Sequence, residues 1–167
     1  MIVVVMGVSG CGKSTIGQLL AQRLGCPFSD ADAFHPPANI EKMSRGVPLC
    51  DEDRWPWLRA IRAAIDDSIA RGEDHVLACS ALKDVYRQVL SPAGDVTFVH
   101  LTGDPALIRE RLAARTGHFF NPALLQTQLD TLELPAGAIA VDIALGPDRI
   151  IEELMRALRP HHRENTP

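Results

Sequence analysis

Short runs of β-branched residues alternate along this chain with longer stretches in which apolar side chains recur every three or four positions. Ile2 to Met6 is an unbroken apolar run, the pattern of a strand covered on both faces. A glycine-rich turn follows, then a predicted helix from about Lys13 to Leu24. A brief strand over Pro27 to Ser29 ends at Asp30, and a short helix over Asn39 to Ser44 is stopped by Arg45-Gly46-Val47-Pro48. Asp53 is placed to cap the next helix, whose stripe of Leu58, Ile61, Ile65 and Ile69 runs until Gly72. Strands are predicted at His75–Cys79, Val96–Leu101 and Ile139–Ile143. Helices are predicted from Leu82 to Leu90, from Asp104-Pro105 to about Arg115, from Asn121-Pro122 to about Leu132, and from Pro147 to Leu158. Strands and helices in this alternation imply an α/β fold: a five-stranded parallel sheet with helices on both faces, in three layers. Such sheets bind ligands beyond the carboxyl ends of their strands. The pattern holds one domain, residues 1–160, and a polar tail at 161–167.

Size and charge narrow the function. A chain of 167 residues, 46% hydrophobic, can bury a full core. Its 17 basic and 21 acidic side chains leave a net charge of -4, which argues against a general nucleic-acid-binding surface. Cys11, Cys26, Cys50 and Cys79 are scattered without metal-ligand spacing, as expected of reduced thiols in a cytoplasmic protein. The apolar start is too short for a signal peptide, and no run approaches the roughly 20 residues that cross a bilayer, so no membrane partner is expected.

Gly7-Val8-Ser9-Gly10-Cys11-Gly12-Lys13-Ser14 matches G-x-x-x-x-G-K-[ST] at every fixed position, between a predicted strand and a predicted helix. Glycines let backbone N–H groups wrap a phosphate, and the helix adds its positive end. Gly7, Ser9, Gly10, Cys11, Gly12, Lys13, Ser14 and Thr15 are thus the candidate residues for ATP, with Lys13 on the β- and γ-phosphates and Ser14 on Mg²⁺. The motif says nothing about the acceptor. Asp30-Ala31-Asp32 follows the second strand, and an extended backbone there would project both carboxylates the same way. One would reach Mg²⁺ through water while the other takes a proton from an attacking hydroxyl. No hydrophobic strand ends in a Walker-B aspartate, since the third ends in Cys79-Ser80, so this pair is the natural metal-side partner.

More specific blocks follow in order: Asp30-Ala-Asp-Ala-Phe-His-Pro36, Asn39-Ile-Glu-Lys-Met43, Gly46-Val-Pro-Leu49, Asp51-Glu-Asp-Arg54 with Pro56-Trp-Leu58, and Cys79-Ser-Ala-Leu-Lys83 with Tyr86-Arg87. Arg115-Thr-Gly-His-Phe-Phe120, Leu125-Gln-Thr-Gln128 and Thr131-Leu-Glu133 complete the series. With the phosphate-loop motif, these make the chain resemble the bacterial gluconokinases of the small P-loop type, relatives of shikimate kinase and the nucleoside monophosphate kinases. The resemblance implies transfer of the ATP γ-phosphate to the 6-hydroxyl of D-gluconate, Mg²⁺ as cofactor, a homodimer, and a mobile lid at about 115–124. Three small departures are Cys11, where a small polar residue is common, Cys50, where Asn is frequent, and a short stretch between Glu133 and Ile139.

Gluconate presents a carboxylate, a row of hydroxyls and a primary alcohol, and candidate roles follow from that chemistry. Asp32 is the candidate base and Asp30 the candidate magnesium partner, with the two roles exchangeable. His35 is a candidate for a sugar hydroxyl; its plain alternative is a surface residue. Arg54 offers a fork for the carboxylate, against a solvated helix-start arginine. Lys83 and Arg87, four apart on a predicted helix, would share a face and clamp substrate or the transferred phosphate. Ser80 reads more simply as that helix's cap. The resemblance places Arg111 and Arg115 at the lid, on adenine and phosphates, with Arg115 in the catalytic set, and makes Gln128 a substrate-side amide. Trp55 and Trp57 read as core packing, because an open-chain acid has no ring to stack. The competing readings are a kinase for another small hydroxy acid such as shikimate, and a nucleotide switch or non-catalytic binding module. The guanine-reading Asn-Lys-x-Asp of a switch is absent.

Overall fold

The computed structural model describes residues 1–114 and 122–158. Its elements are β1 (Ile2–Met6), α1 (Lys13–Leu24), β2 (Phe28–Asp30), α2 (Pro37–Ser44), α3 (Asp51–Ala70), β3 (His75–Ala78) and α4 (Asp84–Leu90). Then come β4 (Val96–Thr102), α5 (Pro105–Ala113), α6 (Pro122–Thr131), β5 (Ile139–Asp142) and α7 (Pro147–Leu158). All strands are parallel, in the order β2-β3-β1-β4-β5.

The central strand explains the three layers. Val3 and Val5 point into one core with Ile16 and Leu20 of α1 and Ile150, Ile151, Leu154 and Leu158 of α7. Ile2, Val4 and Met6 point the other way, onto Leu58, Ile61 and Ile65 of α3 and Tyr86 and Leu90 of α4. A strand covered on both faces has no polar side to show, so β1 lacks the alternation of a half-exposed strand. Register then brings the functional ends together. Asp30 lies opposite Ala78, Val5 opposite Ala78 and Val99, and Thr102 opposite Asp142, so the turns after all five strands leave from one edge.

Four local details differ from the sequence reading. After β2 the chain does not stay extended: Ala31–Phe34 forms a 3₁₀ turn, which the Asp30 side chain caps by accepting from the Asp32 N–H. The cap of α3 is Cys50, while Asp53 sits at the third helical position and accepts the Cys50 N–H, as in a capping box. Residue Ile69, expected in the core stripe, is 42% exposed, because in the last turn of α3 the sheet-facing position after Ile61 and Ile65 falls to Ser68, which is 1% exposed and bonded to His75. Lys83, not Ser80, precedes α4, and Ser80 instead offers its carbonyl to the Gly7 N–H.

Candidate active site

The phosphate loop fills the turn between β1 and α1. Gly10 and Gly12 both have left-handed backbone, with φ of 84° and 95°. A side chain at Gly10 would strike Leu112 of α5, whereas nothing lies within 4 Å of where one would stand at Gly12. One glycine therefore lets α5 pack on the loop, and the other keeps open the mouth of α1. Gly12 gives that helix no side-chain cap, so the α1 N-terminus presents its first N–H groups and its positive dipole end to the cleft. Lys13 Nζ donates to the Val8 carbonyl at 3.0 Å, which folds the ammonium back over the loop. Beneath it Cys11 is 1% exposed; burial pushes its thiol up, so it is a neutral packing residue. Cys79, buried just past the end of β3 in the core on the other face of the sheet, is pushed up to about 12 for the same reason.

The two aspartates occupy different places. The Ser14 hydroxyl donates to Asp30 Oδ2 at 2.6 Å, while Asp30 Oδ1 takes the Asp32 N–H at 3.1 Å. Asp30 is thus fastened to the phosphate loop. Asp32 is exposed, and among the described residues no donor engages its carboxylate. The turn that carries both is held from below: Trp57 Nε1 donates to the Ala31 carbonyl at 2.7 Å, and the Trp57 ring stacks on His35 at 4.5 Å and 9°. Trp57 is 3% exposed, as core packing requires, but it also sets the height of the aspartate turn. His35 Nδ1 accepts from the Asn39 amide at 3.3 Å, and burial lowers its pKa, so its neutral form carries the proton on Nε2.

A second cluster stands at the start of α3 and α4. Asp51 accepts from Lys83 Nζ at 2.9 Å and from the Tyr86 hydroxyl, and those bonds hold its carboxyl below the usual range. Lys83 and Arg54 lie 5.5 and 5.7 Å from the Tyr86 ring centroid, so two cations gather around one aromatic ring. Arg54 donates one Nη to the Leu49 carbonyl at 3.2 Å, and its buried Nε has no partner among the described residues. Asn39, 2% exposed, ties α2 to this corner by donating to the Asp53 carbonyl. Lys42 meets Asp53 at 2.7 Å and depresses its carboxyl to about 2.

Three expected placements change. Arg87 does not share a face with Lys83 in the cleft. It is 5% exposed and donates to the Ala81 and Leu82 carbonyls at 2.9 and 3.1 Å, because α4 begins only at Asp84 and turns that position inward. Gln128 reaches Ser9 of the phosphate loop: its carbonyl takes the Ser9 N–H at 2.6 Å and its amide donates to Ser9 Oγ at 3.0 Å. Arg111 donates to the Ile143 carbonyl at 2.9 Å, beyond the end of β5. Arg115 and positions 116–121 of the expected lid lie outside the described residues, as does the tail at 161–167. Asp51, Tyr86 and Asn39 were missing from the sequence-based set. Asp51, Tyr86 and Asn39 stand in the blocks that carry the resemblance, and that position was the one signal available for them.

A phosphate cradle at the edge of a parallel sheet, wired to a carboxylate beside a free one, defines a P-loop kinase. A family model for shikimate kinase matches residues 9–136. A gluconokinase of Gluconobacter oxydans is 46% identical, the alignment covering 92% of this chain and 88% of that protein. The thermoresistant gluconokinase of Escherichia coli K12 is 44% identical over 85% of this chain and 81% of its own. Among solved structures, a gluconokinase from Sinorhizobium meliloti superposes with a TM-score of 0.83 at 46% identity, over 98% of this chain and 97% of that one. The chain belongs to the gluconokinase family.

Proposed function

We propose that this enzyme transfers the γ-phosphoryl group of ATP to the 6-hydroxyl of D-gluconate, giving 6-phospho-D-gluconate and ADP. The observation that supports the reading best is the Ser14–Asp30 bond, which fastens to the phosphate loop the turn that carries the exposed Asp32. The gluconokinase names of its relatives support the acceptor. The α1 N-terminus and Lys13 bind the triphosphate and offset charge that spreads over the γ-oxygens in the transition state. Asp32 orients the acceptor alcohol and takes its proton as the oxygen attacks phosphorus and the bond to the β-phosphate oxygen breaks. Arg54 and Lys83 receive the acceptor carboxylate at the Tyr86 ring, and His35 meets a hydroxyl beside the aspartate turn.

The Ser14 hydroxyl and the Asp30 carboxylate are oxygen donors 2.6 Å apart, a set suited to a hard cation. These two residues would hold Mg²⁺, which when bound neutralises charge on the β- and γ-phosphates. Four free cysteines suit a reducing cytoplasm, and a homodimer is the assembly that the resemblance implies; light scattering in solution checks it. No helix among the described residues is long and apolar enough to cross a membrane.

A coupled assay with ATP, Mg²⁺ and each of gluconate, shikimate and a nucleoside monophosphate tests the acceptor. ADP release is expected with gluconate, together with a product heavier by one phosphoryl group. Turnover with another acceptor but none with gluconate would overturn the assignment.

A further inference from the structure

Gln128 holds Ser9 by both its backbone N–H and its hydroxyl, which ties α6 to the phosphate loop. Five residues further, just past the end of α6, Glu133 makes a matching pair of bonds at the other half of the cleft. Its carboxylate accepts the Asp84 N–H at 2.5 Å, and its own N–H donates to the Leu82 carbonyl at 2.9 Å. Asp84 opens α4, which has no side-chain cap of its own, so Glu133 supplies from a distant segment the acceptor that a cap would give. The loop it grips bends at Ala81, a non-glycine residue at φ 42°, and delivers Lys83 and Tyr86 to Asp51. The segment is anchored by Leu125, fully buried one turn before the first grip, and between the two grips by Leu132, which packs against the cores on both faces of the sheet.

We propose that Gln128 and Glu133 are a pair of positioning residues, through which α6 holds the phosphate loop and the acceptor loop at one separation. The inference rests on the phosphotransfer reading above. In-line transfer needs the attacking oxygen and the phosphorus within about 3–3.5 Å, so the spacing of the two loops matters beyond the strength of either site. Neither side chain touches the reacting atoms. Their bonds to Ser9 and Asp84 act through the groups that do.

The test compares Glu133→Ala, Glu133→Gln, Gln128→Ala and the double variant, by backbone hydrogen exchange and by kinetics. In Glu133→Ala, exchange should quicken about 5- to 30-fold in the first turn of α4 and also, measurably, over residues 9–12 of the phosphate loop. Gln128→Ala should show the reverse transmission. The acceptor KM of Glu133→Ala should rise about 10-fold with kcat falling, while calorimetric ATP affinity stays within about twofold. Glu133→Gln keeps an oxygen acceptor for the Asp84 N–H and should recover most of the loss. The double variant should lose less than the product of the single losses, because a brace freed at one end no longer transmits. Exchange changes confined to the mutated end, or losses that simply multiply, would reduce both residues to local bonds and overturn the proposal. Absence of gluconate turnover in the parent would count against the acceptor alone, since the exchange arms read the brace without it.

Discussion

Asp30 and Asp32 are two positions apart, yet their surroundings push them toward different work. One is bonded on both oxygens, to the Ser14 hydroxyl and the Asp32 N–H; the other faces solvent without a donor among the described residues. Asp30→Asn should therefore weaken Mg²⁺ dependence, raising the Mg²⁺ concentration for half-maximal rate about 10- to 100-fold. Asp32→Asn should leave ATP and Mg²⁺ titrations nearly unchanged while turnover falls at least about 100-fold. Identical Mg²⁺ titrations for the two variants would remove the distinction. Lys13→Ala deletes the cation folded over the loop, and kcat should drop at least about 100-fold; near-normal turnover in a rapid-quench assay would contradict that placement. The phosphate loop was legible in the sequence because its chemistry is local, eight adjacent residues with glycines at fixed places. The aspartate pair was legible in identity but not in geometry. Strand alternation put both carboxylates on one side, whereas the Asp30 cap starts a 3₁₀ turn and separates them.

Elements were legible where their hydrophobic period was complete. The apolar side of α7 runs over Ile150, Ile151, Leu154 and Leu158, all buried, and β1 is buried along its whole length. The start of α4 was not, for a physical reason. Spacing says that residues four apart share a face, but not which way that face points once a loop such as Ala81–Lys83 precedes the helix. Arg87 shows the difference, since its guanidinium tethers that bend from inside rather than facing substrate. Arg87→Met should thus destabilise the fold by about 2–4 kcal/mol in urea titration, because the Ala81 carbonyl loses its donor in a buried place. At a temperature where the variant is folded, its gluconate KM should change far less than that of Arg54→Ala. Equal KM changes would return Arg87 to the cleft. Gln128 was likewise read as a substrate contact, and no local pattern could reveal that its partner lies 119 positions earlier.

Across the whole molecule, burial of three histidines links stability to pH. Desolvation lowers the pKa of His35, His75 and His100 below their unfolded value of about 6.5. At His75 the network fixes the neutral ring: Ser68 donates to the Ala64 carbonyl, so it receives the Nδ1 proton, and Nε2 accepts from Ser29. The unfolded chain therefore binds more protons below about pH 6.5, so stability is full above that value and declines as pH falls toward the folded pKa values. A second loss should begin below about pH 4, where Asp51, Asp53 and Asp95 are protonated in the unfolded chain before the folded one. Urea midpoints from pH 8 to pH 3.5 should show both stages; a flat profile between pH 7 and 5.5 would contradict the first.

The strand order has a consequence for biosynthesis. β1 is flanked by β3 and β4, so the first core strand finds its nearest hydrogen-bonding partner only about seventy residues later. At about 5–20 residues per second, a wholly apolar segment leaves the ribosome unpaired for roughly 4–14 s. α1 and β2, made in the interval, cannot complete its ladder, since β2 joins the sheet only through β3. The nascent chain is thus most exposed to holdase chaperones, and most prone to aggregate, before His75–Ala78 has emerged.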